Sequence, residues 1–193
     1  MIRRPLCTLA MIVLATLSTT SAHAQTAKFA IDNSHSSLVF ATSHQGFSKC
    51  YGIFRKVSGE FTRDPQAPVK NQFQVNVDAA SLDTNDAKRD EHLKGADFFN
   101  VKQFPTIAFR SESIKKADDG YALIGELTMH GVSKKVTLPL KANMEGKDAF
   151  GAYRAGFTSE FVLKRSDFGM KTMIGPIGDE IEVIFSFEGV LQP

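Results

Sequence analysis

The sequence predicts an all-β domain: an antiparallel sheet of about seven or eight strands that either closes on itself or splits into two layers. Two observations carry this. Apolar and polar residues alternate with period two in stretch after stretch, the mark of a half-buried strand. The breaks between stretches are short turn sequences, which make consecutive strands antiparallel neighbours. A third observation sets one segment apart: residues 83–95 do not alternate and read as a short helix.

In chain order, Leu38, Phe40 and Thr42 share a face against Val39, Ala41 and Ser43. The Phe54 to Phe61 stretch is less regular, and Gly52 and Gly59 suggest a bend or bulge there. The clearest alternation sets Phe73, Val75, Val77 and Ala79 against Gln72, Gln74, Asn76 and Asp78. Ile107 and Phe109 form the next stripe, then Tyr121, Leu123, Gly125, Leu127 and Met129, then Val136, Leu138 and Leu140. A long stripe follows through Tyr153, Ala155, Phe157, Ser159, Phe161 and Leu163. Ile181, Val183, Phe185 and Phe187 form the last. Asp118-Asp119-Gly120, His130-Gly131 and Glu145-Gly146-Lys147-Asp148 are the expected turns, and Gly175-Pro176-Ile177-Gly178 the turn into the final strand.

The helical segment has almost no apolar stripe, so it is no core helix. Asp83 or Thr84 can cap its start and Gly95 its end. Leu93 is its anchor, Arg89 shares that face, and His92 sits at its edge. A polar helix anchored on one face in an all-β chain is what a lid or plug would look like.

The N-terminus has the layout of a secretory signal: Arg3 and Arg4, an apolar run from Leu6 to Leu17, and Ala22-His23-Ala24 before a cut. The run is shorter than the about 20 residues a membrane helix needs. Residues 1–24 are therefore expected to be a signal peptide, residues 25–193 one exported domain. Without Arg3 and Arg4, the 23 basic and 21 acidic residues balance, which leaves no electrostatic reason to seek nucleic acid. Cys7 leaves with the signal, so Cys50 stands alone. It is either a small buried hydrophobe or a reactive thiol.

Little in the sequence points to catalysis. His35, His44, His92 and His130 lack metal-ligand spacing. No G-x-S-x-G elbow is present, and the paired acids Asp90-Glu91 and Asp179-Glu180 read as solvated. No cofactor is expected. His44 continues the Phe40 face, so it either ends an apolar interior with one polar group or is an exposed strand end. The 16 Phe, with no Trp, sit largely on the inward stripes. Such stripes fit a filled core and a hollow barrel equally.

Four blocks in order resemble the YceI family: Asp32-x-x-His35-Ser36 with Phe40 and His44; Thr84-x-x-x-x-Arg89-Asp90-x-His92-Leu93 followed by Asp97-Phe98-Phe99 and Phe104-Pro105; Gly125-x-Leu127-Thr128-x-His130-Gly131-Val132; and Arg165-x-Asp167-Phe168-Gly169. The resemblance spans about residues 28–190. It implies a periplasmic, extended lipocalin-like antiparallel barrel around a long apolar cavity, binding a polyisoprenoid, an isoprenoid quinone or another long-chain amphiphile. It implies no catalytic residues. The expected ligand-facing residues are Phe40, His44, Phe73, Val75, Val77, Arg89, His92, Phe109, Leu127, Met129, Val136, Leu138, Phe157, Phe161, Phe185 and Phe187. Arg89, Asp90 and Asp167 either pin the helical insert to the barrel or meet a head group. An enzyme acting on such a lipid and a packed structural or stress protein are the other readings. Transient contact with a membrane surface and a homodimer are left open.

Overall fold

The computed structural model describes residues 26–193; the expected signal peptide and the Gln25 start lie outside them. Eleven strand segments form one sheet: β1 (Ala27–Ile31), β2 (Ser37–His44), β3 (Ser48–Phe54), β4 (Val57–Arg63), β5 (Phe73–Asp78), β6 (Leu82–Asp83), β7 (Thr106–Ala117), β8 (Gly120–Met129), β9 (Val132–Lys147), β10 (Tyr153–Lys164) and β11 (Ile177–Leu191). All pairings between them are antiparallel. Because β11 pairs with β1 as well as β10, the sheet closes. The first six segments are three bent strands, β1/β2, β3/β4 and β5/β6, so the ring has eight strands. This is the expected antiparallel barrel, with one short α-helix among the described residues.

The three bends lie together for a physical reason. Asn33 sits in the turn between β1 and β2; its Oδ1 accepts from Val57 N (2.6 Å) and its Nδ2 donates to Arg55 O (3.1 Å). Arg55 N and Lys56 N in turn donate to Ser81 O and Oγ, both at 3.1 Å, in the turn between β5 and β6. Backbone groups freed from the ladder at each bend are thus satisfied by the neighbouring bend.

Two turns are dictated by single residues. β8 and β9 join through His130 and Gly131, with φ of 52° and 73°. A two-residue hairpin with both φ positive is the type I′ turn that suits strand twist. Gly131 is barred from carrying a side chain a second time, since a Cβ would lie 2.4 Å from the Phe104 ring. The turn expected at Glu145-Gly146-Lys147-Asp148 comes later, after Lys147. Glu145 is held in β9 by pairing with Ala155 and by Arg63 Nε at 2.8 Å.

The helix α1 (Ala87–Lys94) starts later than expected. Its N-cap is Asp86, which accepts from Arg89 N at 2.9 Å; Asp83 belongs to β6 and Thr84 precedes the helix. Gly95 is the C-cap, as expected.

One end of the barrel is packed solid. Phe29, Phe61, Phe73, Phe157 and Phe187 meet at centroid distances of 5.1–6.4 Å, partly stacked and partly edge-on, the favoured aromatic geometries. Gly189 makes room: a Cβ there would sit 2.4 Å from the Phe61 ring. Outside this plug, Arg154 donates to Asp32 (2.7 Å), Asp148 (2.7 Å) and Glu188 (3.3 Å). Arg154 first, then Ser34 and His35, hold the Asp32 carboxyl well below the usual carboxylate range. A lowered folded-state pKa stabilises above the unfolded value of about 3.9 and is lost as pH falls through the folded one. Thermal stability should therefore fall as pH drops below about 4. Asp32→Asn should flatten that slope, and melting curves across the acid range check it. An unchanged slope would assign the acid sensitivity to other carboxylates.

Candidate functional site

The other end of the barrel is hollow. A cavity of about 720 Å³ lies between β2, β3, β5, β7, β8, β9, β10 and β11, within the ~300–1,000 Å³ of small-molecule sites. Its wall comes from the inward stripes: Leu38 and Phe40 from β2, Val75 and Val77 from β5, Ile107 and Phe109 from β7, Leu127 and Met129 from β8, Leu138 from β9, Phe161 and Leu163 from β10, and Val183 and Phe185 from β11. Phe73 and Phe187 form the floor, shared with the aromatic plug.

The helical insert lies at the mouth. Thr84, Lys88, Arg89, His92 and Leu93 all border the cavity, with Leu93 half-buried against the core. Phe98 and Phe99, on the return to β7, border the cavity on the side of β6, which pairs with β3 alone. The Phe99 ring stands edge-on to Phe54 at 5.6 Å. The rim also includes His44, Gln45 and Tyr51 of the β2–β3 hairpin, and Met173 and Pro176 before β11 with Ile177 at its start. Gln45 N donates to Pro176 O at 2.8 Å and joins the two.

Of the expected ligand-facing residues, Val136 and Phe157 do not reach the cavity. Val136 is half-buried against the core, and Phe157 is part of the aromatic plug. The other fourteen border it. His44 does so as an exposed residue at the end of β2. Cys50 is half-buried on the cavity side of β3, paired with Thr42.

The polar groups near the interior are already engaged. Ser159 Oγ donates to Pro139 O (2.5 Å), bridging β9 and β10 where their ladder has ended at Lys141–Thr158. Arg89 donates to Thr84 Oγ1 (2.8 Å) and Thr84 O (2.7 Å), and Asp90 accepts from Thr84 N (2.8 Å) and Oγ1 (2.5 Å). Arg89 and Asp90 thus brace the insert upon itself. Asp167 takes no part: it pairs with Lys134 of β9 at 3.2 Å, which corrects the expectation that it pins the insert.

The residue that sequence reasoning missed is Arg165. It is only 4% exposed, and its guanidinium donates to the carbonyls of Met170 (2.9 Å), Thr172 (2.8 Å), Ile177 (3.2 Å) and Gly178 (3.0 Å). Burial lowers its pKa, and Asp179 acts in the opposite direction. The same motif contains Phe168, whose carbonyl accepts from His130 Nδ1 at 3.0 Å, so that nitrogen carries the proton. These blocks build the mouth and its supports.

Among the described residues no cluster of His, Cys, Asp and Glu is arranged to hold a metal ion, and no helix is long and apolar enough to cross a membrane. The residues bordering the cavity include Lys88, Arg89 and Arg165 but no carboxylate.

The family model for YceI-like domains matches residues 29–189. A UPF0312 protein of Yersinia pestis (strain Pestoides F) is 42% identical over 185 residues, spanning 95% of this chain and 96% of the relative. Among solved structures, BcnA of Burkholderia cenocepacia superposes with a TM-score of 0.75 at 26% identity, covering 82% of this chain and 98% of BcnA. A polyisoprenoid-binding domain from Saccharophagus degradans, implicated in plant cell wall breakdown, gives 0.67 at 16% identity over 87% of this chain and all (100%) of that domain. The last likeness speaks to the fold alone.

Proposed function

The chain belongs to the YceI-like family, and from that premise we propose that it binds and carries an isoprenoid or other long-chain amphiphilic lipid, of polyprenyl or quinone type, in the barrel cavity. One observation carries the reading. The cavity wall is predominantly apolar, its inner polar group Ser159 is hydrogen-bonded to Pro139 O, and the charged and other polar side chains gather toward the open rim, the layout that suits a long tail with a polar head. The polyisoprenoid binding named for the Saccharophagus degradans domain, which shares the fold, supports the same ligand class.

Binding is favoured over catalysis because Ser159, Thr84 and Arg165, the polar groups closest to the interior, are spent on structural hydrogen bonds. The reading as a packed structural protein is disfavoured by the cavity itself. A periplasmic location is part of the proposal. Its support is the Arg3-Arg4, apolar run and Ala22-His23-Ala24 pattern.

Organic extraction of the purified protein followed by mass spectrometry is the direct test. A long-chain isoprenoid recovered near one per chain is the expected result. Protein that is repeatedly lipid-free, and does not take up prenyl lipid from vesicles, would overturn the reading.

A further inference from the structure

Resting on the carrier reading, we infer that the mouth of the barrel docks on the surface of an anionic bilayer, with Phe47 and Ile174 entering the interface and Lys88, Arg89 and Lys171 facing lipid head groups. The cavity opens at one end, so an apolar tail that leaves a membrane without crossing water must enter there. The two loops on that rim carry exposed apolar tips. Phe47, at the tip of the β2–β3 hairpin, is 86% exposed, and Met173 and Ile174, before β11, are 48% and 45% exposed. The bond from Gln45 N to Pro176 O holds the two loops side by side.

Folding does not account for these side chains. Phe47 lies outside the hydrophobic core, in a chain that buries most of its other phenylalanines. Exposed apolar groups beside a cavity mouth mark an interaction surface. Lys88 and Arg89 border the opening from α1, Lys171 is exposed on the loop, and no carboxylate borders the cavity itself; of the nearby acids, Asp97 faces His92, Glu182 pairs with Lys49, and Glu91 is exposed on α1. Asp86 and Asp90 on the same helix are turned to Arg89 N and Thr84. Apolar tips flanked by cations are what an anionic membrane interface binds.

The far end offers a built-in control. Phe150, in the β9–β10 turn, is 97% exposed but lies at the plugged end, near the ion pairs of Arg154 with Asp148 and Asp32. The chain has no tryptophan, so Phe47→Trp and Phe150→Trp each carry a single fluorescent reporter. With vesicles of equal parts phosphatidylglycerol and phosphatidylcholine, the emission of Phe47→Trp should shift to the blue and that of Phe150→Trp should not. Raising salt, or using phosphatidylcholine alone, should weaken the shift. Phe47→Ser combined with Ile174→Ser should lower vesicle binding about tenfold or more.

A shift at Phe150→Trp without one at Phe47→Trp, or no shift at either, overturns the inference. So does a shift at Phe47→Trp that depends on protein concentration without vesicles, which would make the mouth a contact between two copies. Lipid extraction from the same preparations separates the two proposals. Lipid without docking refutes the surface and leaves the cargo; docking without lipid refutes the cargo and leaves the surface.

Discussion

Val75→Trp should reduce the lipid recovered from the purified protein roughly tenfold, or shorten the longest chain recovered. Val75 lies on the inner face of β5, opposite Phe109 of β7 and Gly59 of β4. It is half-buried there and borders the cavity. Its neighbour on the same face, Val77, also borders the cavity but is 4% exposed and packed into the core, so an indole is accommodated more readily at 75 than at 77. The tail's alternative home is a membrane, which is as apolar as the cavity. Burial at ~0.8 kcal/mol per CH₂ therefore nearly cancels in the transfer between them. What remains is shape, where overpacking costs ~1–3 kcal/mol, and ~1.4 kcal/mol is tenfold in occupancy. Mass spectrometry of extracts from parent and variant, with melting curves to verify folding, reads this out. The same lipid at the same occupancy in a folded Val75→Trp would mean that the tail does not pass β5.

The strands were legible because alternation reports which face a side chain takes. Thus Phe73, Val75 and Val77 of β5, and the stripes of β8, β10 and β11, all point inward as read. Alternation does not report depth along the barrel. Phe157 and Phe161 lie on one stripe of one strand, yet the first stacks in the plug and the second borders the cavity. A filled and a hollow interior write the same pattern, so the cavity itself was illegible. The rim was illegible for a related reason: Tyr51, Met173 and Lys88 sit on a hairpin end, a loop and a polar helix, where no period-two signal exists. The helix start was displaced because Asp83, Thr84 and Asp86 are all cap-type residues. The pairing of Asp83 with Ile53 of β3 decides among them, and that is a long-range contact.

Arg165→Met should lower stability by about 3 kcal/mol or more, whereas Asp167→Asn, two residues away, should cost under about 1 kcal/mol. Asp167 makes a single ion pair with Lys134, and both side chains are about half exposed (53% and 42%); such pairs contribute little. Arg165 donates to four carbonyls spread over Met170 to Gly178, of which only Gly178 O also accepts from another side chain, Thr42 Oγ1 at 3.2 Å. Methionine keeps most of the stem's packing but leaves the carbonyls of Met170, Thr172 and Ile177 without a side-chain donor, at ~1–3 kcal/mol for each one that water does not reach. For a domain of this size ~3 kcal/mol corresponds to a fall of roughly 6–12 °C in Tm. The loss should not be uniform. The freed segment carries Met173, Pro176 and Ile177, which border the mouth, so amide exchange there should quicken more than in the ladder of β7 and β8. A fall of less than about 2 °C, with exchange unchanged in residues 170–178, would mean that the loop holds its shape without the guanidinium. The family motif beginning at Arg165 would then need another explanation than the frame of the mouth.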